Sequence, residues 1–150
     1  YAFSTEGIIG FTVGRKNKIS FLSVVRNSIQ LSFFTALIVS IFYAMFFKQI
    51  VNIITDIEIL RSISYKHFIW IIIIPPAASF CYQLDGIFIG ASQTKEIRNA
   101  MIVSVLSFIG ISIYLTSHFG NHGLWFSLLL FMILRALTLQ FYFNKILRKF

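Results

Sequence analysis

Ser28-Ile-Gln-Leu-Ser-Phe-Phe-Thr-Ala-Leu-Ile-Val-Ser-Ile-Phe-Tyr-Ala-Met-Phe-Phe47 runs for 20 residues without a single charge. At a helical rise of about 1.5 Å per residue this run covers about 30 Å, the hydrocarbon thickness of a bilayer. A membrane-crossing helix is the direct reading, preceded by an amphipathic lead-in that contains Arg26. The residues on either side repeat the pattern. Upstream, Tyr1 to Gly14 reads as the rear part of another span that ends at Arg15, Lys16, Asn17 and Lys18. Downstream, Lys48 to Lys66 mixes Asp56, Glu58 and Arg61 with Ile and Leu, and Thr55 followed by Glu58 has the spacing of a capping box. A short interfacial helix is expected to begin there. Three more apolar stretches follow, so the expected spans are residues 1–14, 28–47, 68–94, 100–117 and 123–144 of a single transmembrane unit covering 1–150.

The composition agrees with this reading. The chain is 57% hydrophobic and 12% charged, whereas soluble domains carry about 25% charged residues to hydrate their surfaces. A net charge of +8 could suggest nucleic acid, but the basic residues cluster at the ends of apolar runs, where membrane topology accounts for them. One cysteine, Cys81, excludes an intrachain disulfide and a cysteine metal cluster. Unbroken apolar runs are not the alternating pattern of a membrane barrel. With no initiating Met and apolar sequence from Tyr1 onward, the chain reads as truncated at its start.

Counting Lys and Arg at alternate ends of the spans gives the orientation. One side holds Arg15, Lys16, Lys18, Arg26, Lys95, Arg98, Lys145, Arg148 and Lys149; the other holds Lys48, Arg61 and Lys66. Nine against three places the C-terminus in the cytoplasm.

Within the spans three ionisable residues stand out, Glu6, Asp85 and Arg135. Each costs about 2.5 to 3.5 kcal/mol to insert at a bilayer centre, so such residues face a cavity or one another. Glu6 lies nine residues before Arg15, Asp85 ten before Lys95 and Arg135 ten before Lys145. All three therefore share a layer about 14 to 15 Å above the basic edge. Two readings of this layer stand side by side. Asp85, with Glu6 second, exchanges a proton or Na⁺ for a substrate at the membrane midplane; or an Arg135–carboxylate pair only locks helices together. Tyr82 and Gln83 precede Asp85 by about one turn, so an aromatic ring and an amide could line the same cavity for a cationic ligand, although Gln83 also suits an interhelical hydrogen bond. Gly86 and Gly90 form a small-xxx-small pair for close helix approach. Pro75 and Pro76 predict a kink or break in the third span. His118 and His122 sit on an expected loop, Ser117 to Gly123, and two histidines without a carboxylate or cysteine nearby are not a metal site. No Walker, GxSxG, HExxH or dinucleotide motif occurs, so no enzyme chemistry and no cofactor is expected.

The string Tyr82-Gln-Leu-Asp-Gly-Ile-Phe-Ile-Gly-Ala-Ser-Gln-Thr-Lys-Glu-Ile-Arg-Asn-Ala-Met101 resembles the tenth-helix motif of the DinF-like branch of the multidrug and toxin extrusion (MATE) family. Glu6-Gly-Ile-Ile-Gly10 with Val13-Gly14 is similar to the end of that branch's eighth helix, and the stretch from Gly123 to Thr138 to its twelfth. The resemblance implies an all-α polytopic membrane protein, in which this chain is part of the second six-helix lobe, the end of helix 8 and helices 9 to 12. It further implies H⁺- or Na⁺-coupled antiport that exports cationic or amphipathic drugs and toxins across the cell membrane, with Asp85 matching a tenth-helix acid implicated in ion coupling in a sister branch. The implied partners are the lipid bilayer, the small substrate and an N-terminal lobe of the same protein, and no nucleic acid. The alternatives are a flippase for lipid-linked oligosaccharides or precursors, for which more cationic cavity residues would be expected, and a non-transporting membrane fragment.

Overall fold

Lys18 to Ile54 contains neither Gly nor Pro, and in the computed structural model, which describes residues 1–150, it forms one unbroken helix. The full order is α1 (Ala2–Gly14), α2 (Lys18–Ile54), α3 (Glu58–Lys66), α4 (Phe68–Gly90), α5 (Thr94–Phe119) and α6 (Asn121–Leu147). Four of these, α2, α4, α5 and α6, are long and apolar enough to cross a membrane. The expected lead-in around Arg26 is continuous with the span, because nothing in the sequence interrupts the hydrogen-bond ladder. Asn17 starts α2, its Oδ1 accepting from the Ser20 amide at 3.0 Å.

At the far end of α2 the expected capping box does not form. Thr55 is the extended residue that terminates α2, and its hydroxyl accepts from the Ile57 amide at 3.3 Å, so Ile57 precedes α3 without a side-chain cap. Arg61 holds this corner instead. Its guanidinium donates to the carbonyls of Thr55 (2.8 Å) and Asn52 (3.1 Å) and pairs with Asp56 at 3.0 Å, which satisfies carbonyls that the helix end leaves open.

α4 runs unbroken through Pro75 and Pro76, so the expected break is absent. The Ser79 hydroxyl donates to the Pro76 carbonyl at 2.8 Å within this stretch. The helix stops at Gly90 rather than continuing toward Thr94. Ser92 adopts φ 56°, and the amides of Ser92 and Gln93 donate back to Ile89 and Phe88, the two bonds of a Schellman end. α1 ends the same way, with Lys16 at φ 51° and bonds from Lys16 and Asn17 to Val13 and Thr12. α5 and α6 make an antiparallel hairpin with a far shorter turn than expected. Gly120 alone separates them, at φ 57° and ψ −138°, a conformation that strains any residue with a Cβ. His118 and His122 therefore belong to helix ends, the last turn of α5 and the first turn of α6, and not to a loop.

α4 is the central element, packed against α1, α2 and α6, while α5 leans mainly on α6. Its residues Leu84, Ile87 and Phe88 are buried in one apolar core with Ile9 of α1, Phe21 of α2 and Leu139 of α6. Gly86 and Gly90 make the α1 contact possible: a Cβ on Gly86 would lie 2.6 Å from the Ala2 carbonyl oxygen, and one on Gly90 would collide with the Glu6 carbonyl. The packing reading of this pair holds. At the basic end the C-terminal residues tie the bundle together. Lys145 pairs with Glu96 at 3.1 Å, Lys149 donates to the Ala91 carbonyl at 2.6 Å, and the Phe150 ring lies 5.0 Å from that of Phe21.

Candidate functional site

Asp85 is buried on α4, one turn beyond Cys81 and Tyr82, and its Oδ2 lies 2.9 Å from a guanidinium nitrogen of Arg135 on α6. The distance is that of a charge-assisted hydrogen bond. The pair is incompletely satisfied: Asp85 Oδ1 and Arg135 Nε are buried and have no hydrogen-bond partner. The equal ten-residue offsets of the two residues from Lys95 and Lys145 bring them to the same level of α4 and α6, neighbours that run in the same direction with α5 returning between them.

Beside this pair lies a cavity of about 600 Å³ between α1, α2 and α4. Asp85, Glu6, Tyr82 and Gln83 all line it; Arg135 does not. Glu6 thus shares the cavity with Asp85 but forms no ion pair, and the acid that meets the guanidinium is Asp85 alone. The Gln83 amide donates to the Ser28 carbonyl of α2 at 3.0 Å, the interhelical bond that its position suggested, while its Oε1 is buried without a partner. Tyr82 is half exposed on the cavity wall.

Several hydroxyls in this wall escaped the sequence reading, those of Tyr1, Ser32, Thr35 and Ser79. Thr35 gives its hydrogen to the Leu31 carbonyl at 2.9 Å and accepts from the Tyr1 hydroxyl at 3.3 Å, linking α2 to the start of α1. The signal was available as spacing. Ser32, Thr35, Ala36 and Val39 follow the i, i+3, i+4, i+7 rule of one helix face, and Pro75, Ser79, Tyr82, Gly86 and Ile89 do so on α4. Chemically, the wall offers two carboxylates, an amide and hydroxyls around an apolar chamber, a set of hard oxygens and aromatic surface that suits a cation. No cluster of three or more His, Cys, Asp or Glu side chains forms a metal-binding group.

A bundle without strands, with four helices able to cross a bilayer and a buried acid–guanidinium pair beside a largely apolar chamber, defines a polytopic α-helical membrane protein. The chain belongs to the MatE family, whose model matches residues 1–118. Asp85 falls inside this match and Arg135 beyond it. The chain is also similar to DNA damage-inducible protein F of Escherichia coli (strain K12), with 32% identity over 139 residues, 93% of this chain and 30% of that relative. The chain therefore spans about a third of the relative's length. No solved structure matches it.

Proposed function

We propose that this chain forms part of a secondary active transporter that exports cationic or amphipathic compounds in exchange for H⁺ or Na⁺, with Asp85 as the coupling carboxylate. Glu6 is the second acid of the cavity, Tyr82 and Gln83 line the substrate path, and Arg135 is the structural counter-charge. The observation that carries this reading is the double setting of Asp85: one carboxylate oxygen is on Arg135, the other lacks a protein partner, and the residue lines a chamber of about 600 Å³. Such an acid can exchange a bound cation or proton while its helix stays anchored. The family membership and the similarity to DNA damage-inducible protein F support the same reading. The transporter sits in the cell membrane with its C-terminus in the cytoplasm, in line with the distribution of Lys and Arg, and the rest of the translocation path comes from an N-terminal lobe of the same protein. A flippase for pyrophosphate-linked saccharides is less well served, because no Lys or Arg lines the chamber.

The test is efflux of a cationic dye from proteoliposomes that hold the full-length protein, under an imposed pH or Na⁺ gradient, for wild type and Asp85→Asn. Loss of gradient-driven efflux with folding intact is expected. Unchanged efflux would move coupling outside this chain and leave Asp85 as a structural partner of Arg135.

A further inference from the structure

A second cavity, of about 580 Å³, lies toward the other end of α4, where α2, α3 and the start of α6 meet. Trp70, Trp125, Tyr43 and Phe47 contribute its aromatic surface, and no Lys, Arg, Asp or Glu lines it. His67 also lines it and sets its polarity. The His67 Nδ1 lies 2.8 Å from the Ile63 carbonyl oxygen. A carbonyl can only accept, so Nδ1 carries the hydrogen, and in the tautomer that this bond selects Nε2 presents a lone pair. That nitrogen is buried and has no hydrogen-bond partner. The nearest ring cannot supply one. His122 stacks on His67 with centroids 4.4 Å apart, so the hydrogen on its own Nε2 lies in the plane of a stacked ring and makes no bond to His67, while its Nδ1 accepts from Trp70 Nε1 at 3.0 Å, which uses the indole donor. The cavity thus combines flat aromatic walls, no counter-charge and one buried acceptor whose hydrogen bond is unmade, a costly arrangement unless a guest supplies the donor.

We propose that this cavity binds a neutral, flat aromatic molecule that donates an N–H or O–H to His67 Nε2 and seats its ring among Trp70, Trp125, Tyr43 and Phe47. A charged guest would lose its hydration with no opposite charge to replace it. The site is separate from the acidic chamber: Trp70 precedes Asp85 by fifteen residues of α4, about 22 Å along the axis.

Trp70 and Trp125 are the two tryptophans of the chain, and both line the cavity, so tryptophan emission reports its occupancy. The experiment titrates 4-nitroaniline, a neutral N–H donor that absorbs tryptophan emission, into the chain held in lipid nanodiscs, beside N,N-dimethyl-4-nitroaniline, which has no donor. Saturable quenching is expected, with the donor compound binding about fivefold more tightly, the value of one net hydrogen bond. His67→Phe keeps a ring for the stack and removes the acceptor; it should abolish the preference while the dimethyl compound quenches as before. Equal or non-saturable quenching by both compounds in the wild type, or a preference that survives His67→Phe, overturns the proposal. If circular dichroism finds His67→Phe unfolded, the wild-type comparison decides by itself.

Discussion

Asp85 and Arg135, fifty positions apart in sequence, meet at 2.9 Å between α4 and α6, and each keeps one buried polar atom without a partner. Removing one member leaves the other charge buried alone, at a cost of about 3 to 5 kcal/mol, whereas removing both replaces the pair with apolar packing at little cost or a gain. Arg135→Leu should therefore destabilise the bundle strongly, and Asp85→Leu/Arg135→Leu should recover most of the loss. Unfolding midpoints in mixed micelles check this. Additive losses in the double variant would show that the two side chains do not act as a pair.

The α1–α4 contact makes a sharper steric prediction. Gly86→Ala and Gly90→Ala push a methyl group into the backbone of Ala2 or Glu6 and should each cost about 1 to 3 kcal/mol by overpacking. Gly110→Ala is the control, since a Cβ there meets nothing within 4 Å and should gain up to about 1 kcal/mol from helix propensity. The same micelle unfolding assay ranks the three.

Cys81 is the one cysteine of the chain and is 1% exposed. A buried thiol reacts slowly because reagents cannot reach it and the thiolate is not stabilised there. Labelling with N-ethylmaleimide should be negligible in the folded protein and complete after denaturation in sodium dodecyl sulfate. Rapid labelling without detergent denaturation would mean that α4 opens toward solvent in a way that the packed core does not allow.

Orientation is checked with single cysteines in a Cys81→Ser background. Ser62, in α3, and Arg148, beyond α6, are both exposed. A membrane-impermeant maleimide should label Ser62→Cys in intact cells and Arg148→Cys only after permeabilisation. The reverse pattern would invert the topology drawn from the basic residues.

How much of this was legible in the sequence depends on the range of the interaction. The apolar runs marked α2, α4, α5 and α6 because hydrophobic length is a local property. Counting from the basic edge set Asp85 and Arg135 at one level, and the structure adds that their helices touch there. Gly86 and Gly90 announced a close approach but not its partner, the backbone of α1. Other features depend on distant segments and left no local trace. The capping-box spacing of Thr55 and Glu58 was overridden by Arg61, whose guanidinium reaches back to carbonyls at the end of α2. His67, Trp70 and His122 form one cluster although 52 residues separate the bonded pair. Glu96 pairs with Lys145 of α6, a contact between residues 49 positions apart that neither one's neighbours in sequence announce.

Pro75 lines both cavities, the acidic chamber and the aromatic one. With Pro76 it deprives the carbonyls of Ile71 and Ile72 of their helical donors, so the main chain of α4 is least braced where it serves as the party wall between two rooms. Any flexure of α4 at this point would move a wall that both rooms share. Occupancy of the aromatic cavity would then be felt at Asp85 with no contact between the two guests. Spin-label distances across the two cavities, both changing when one is filled, would register that motion.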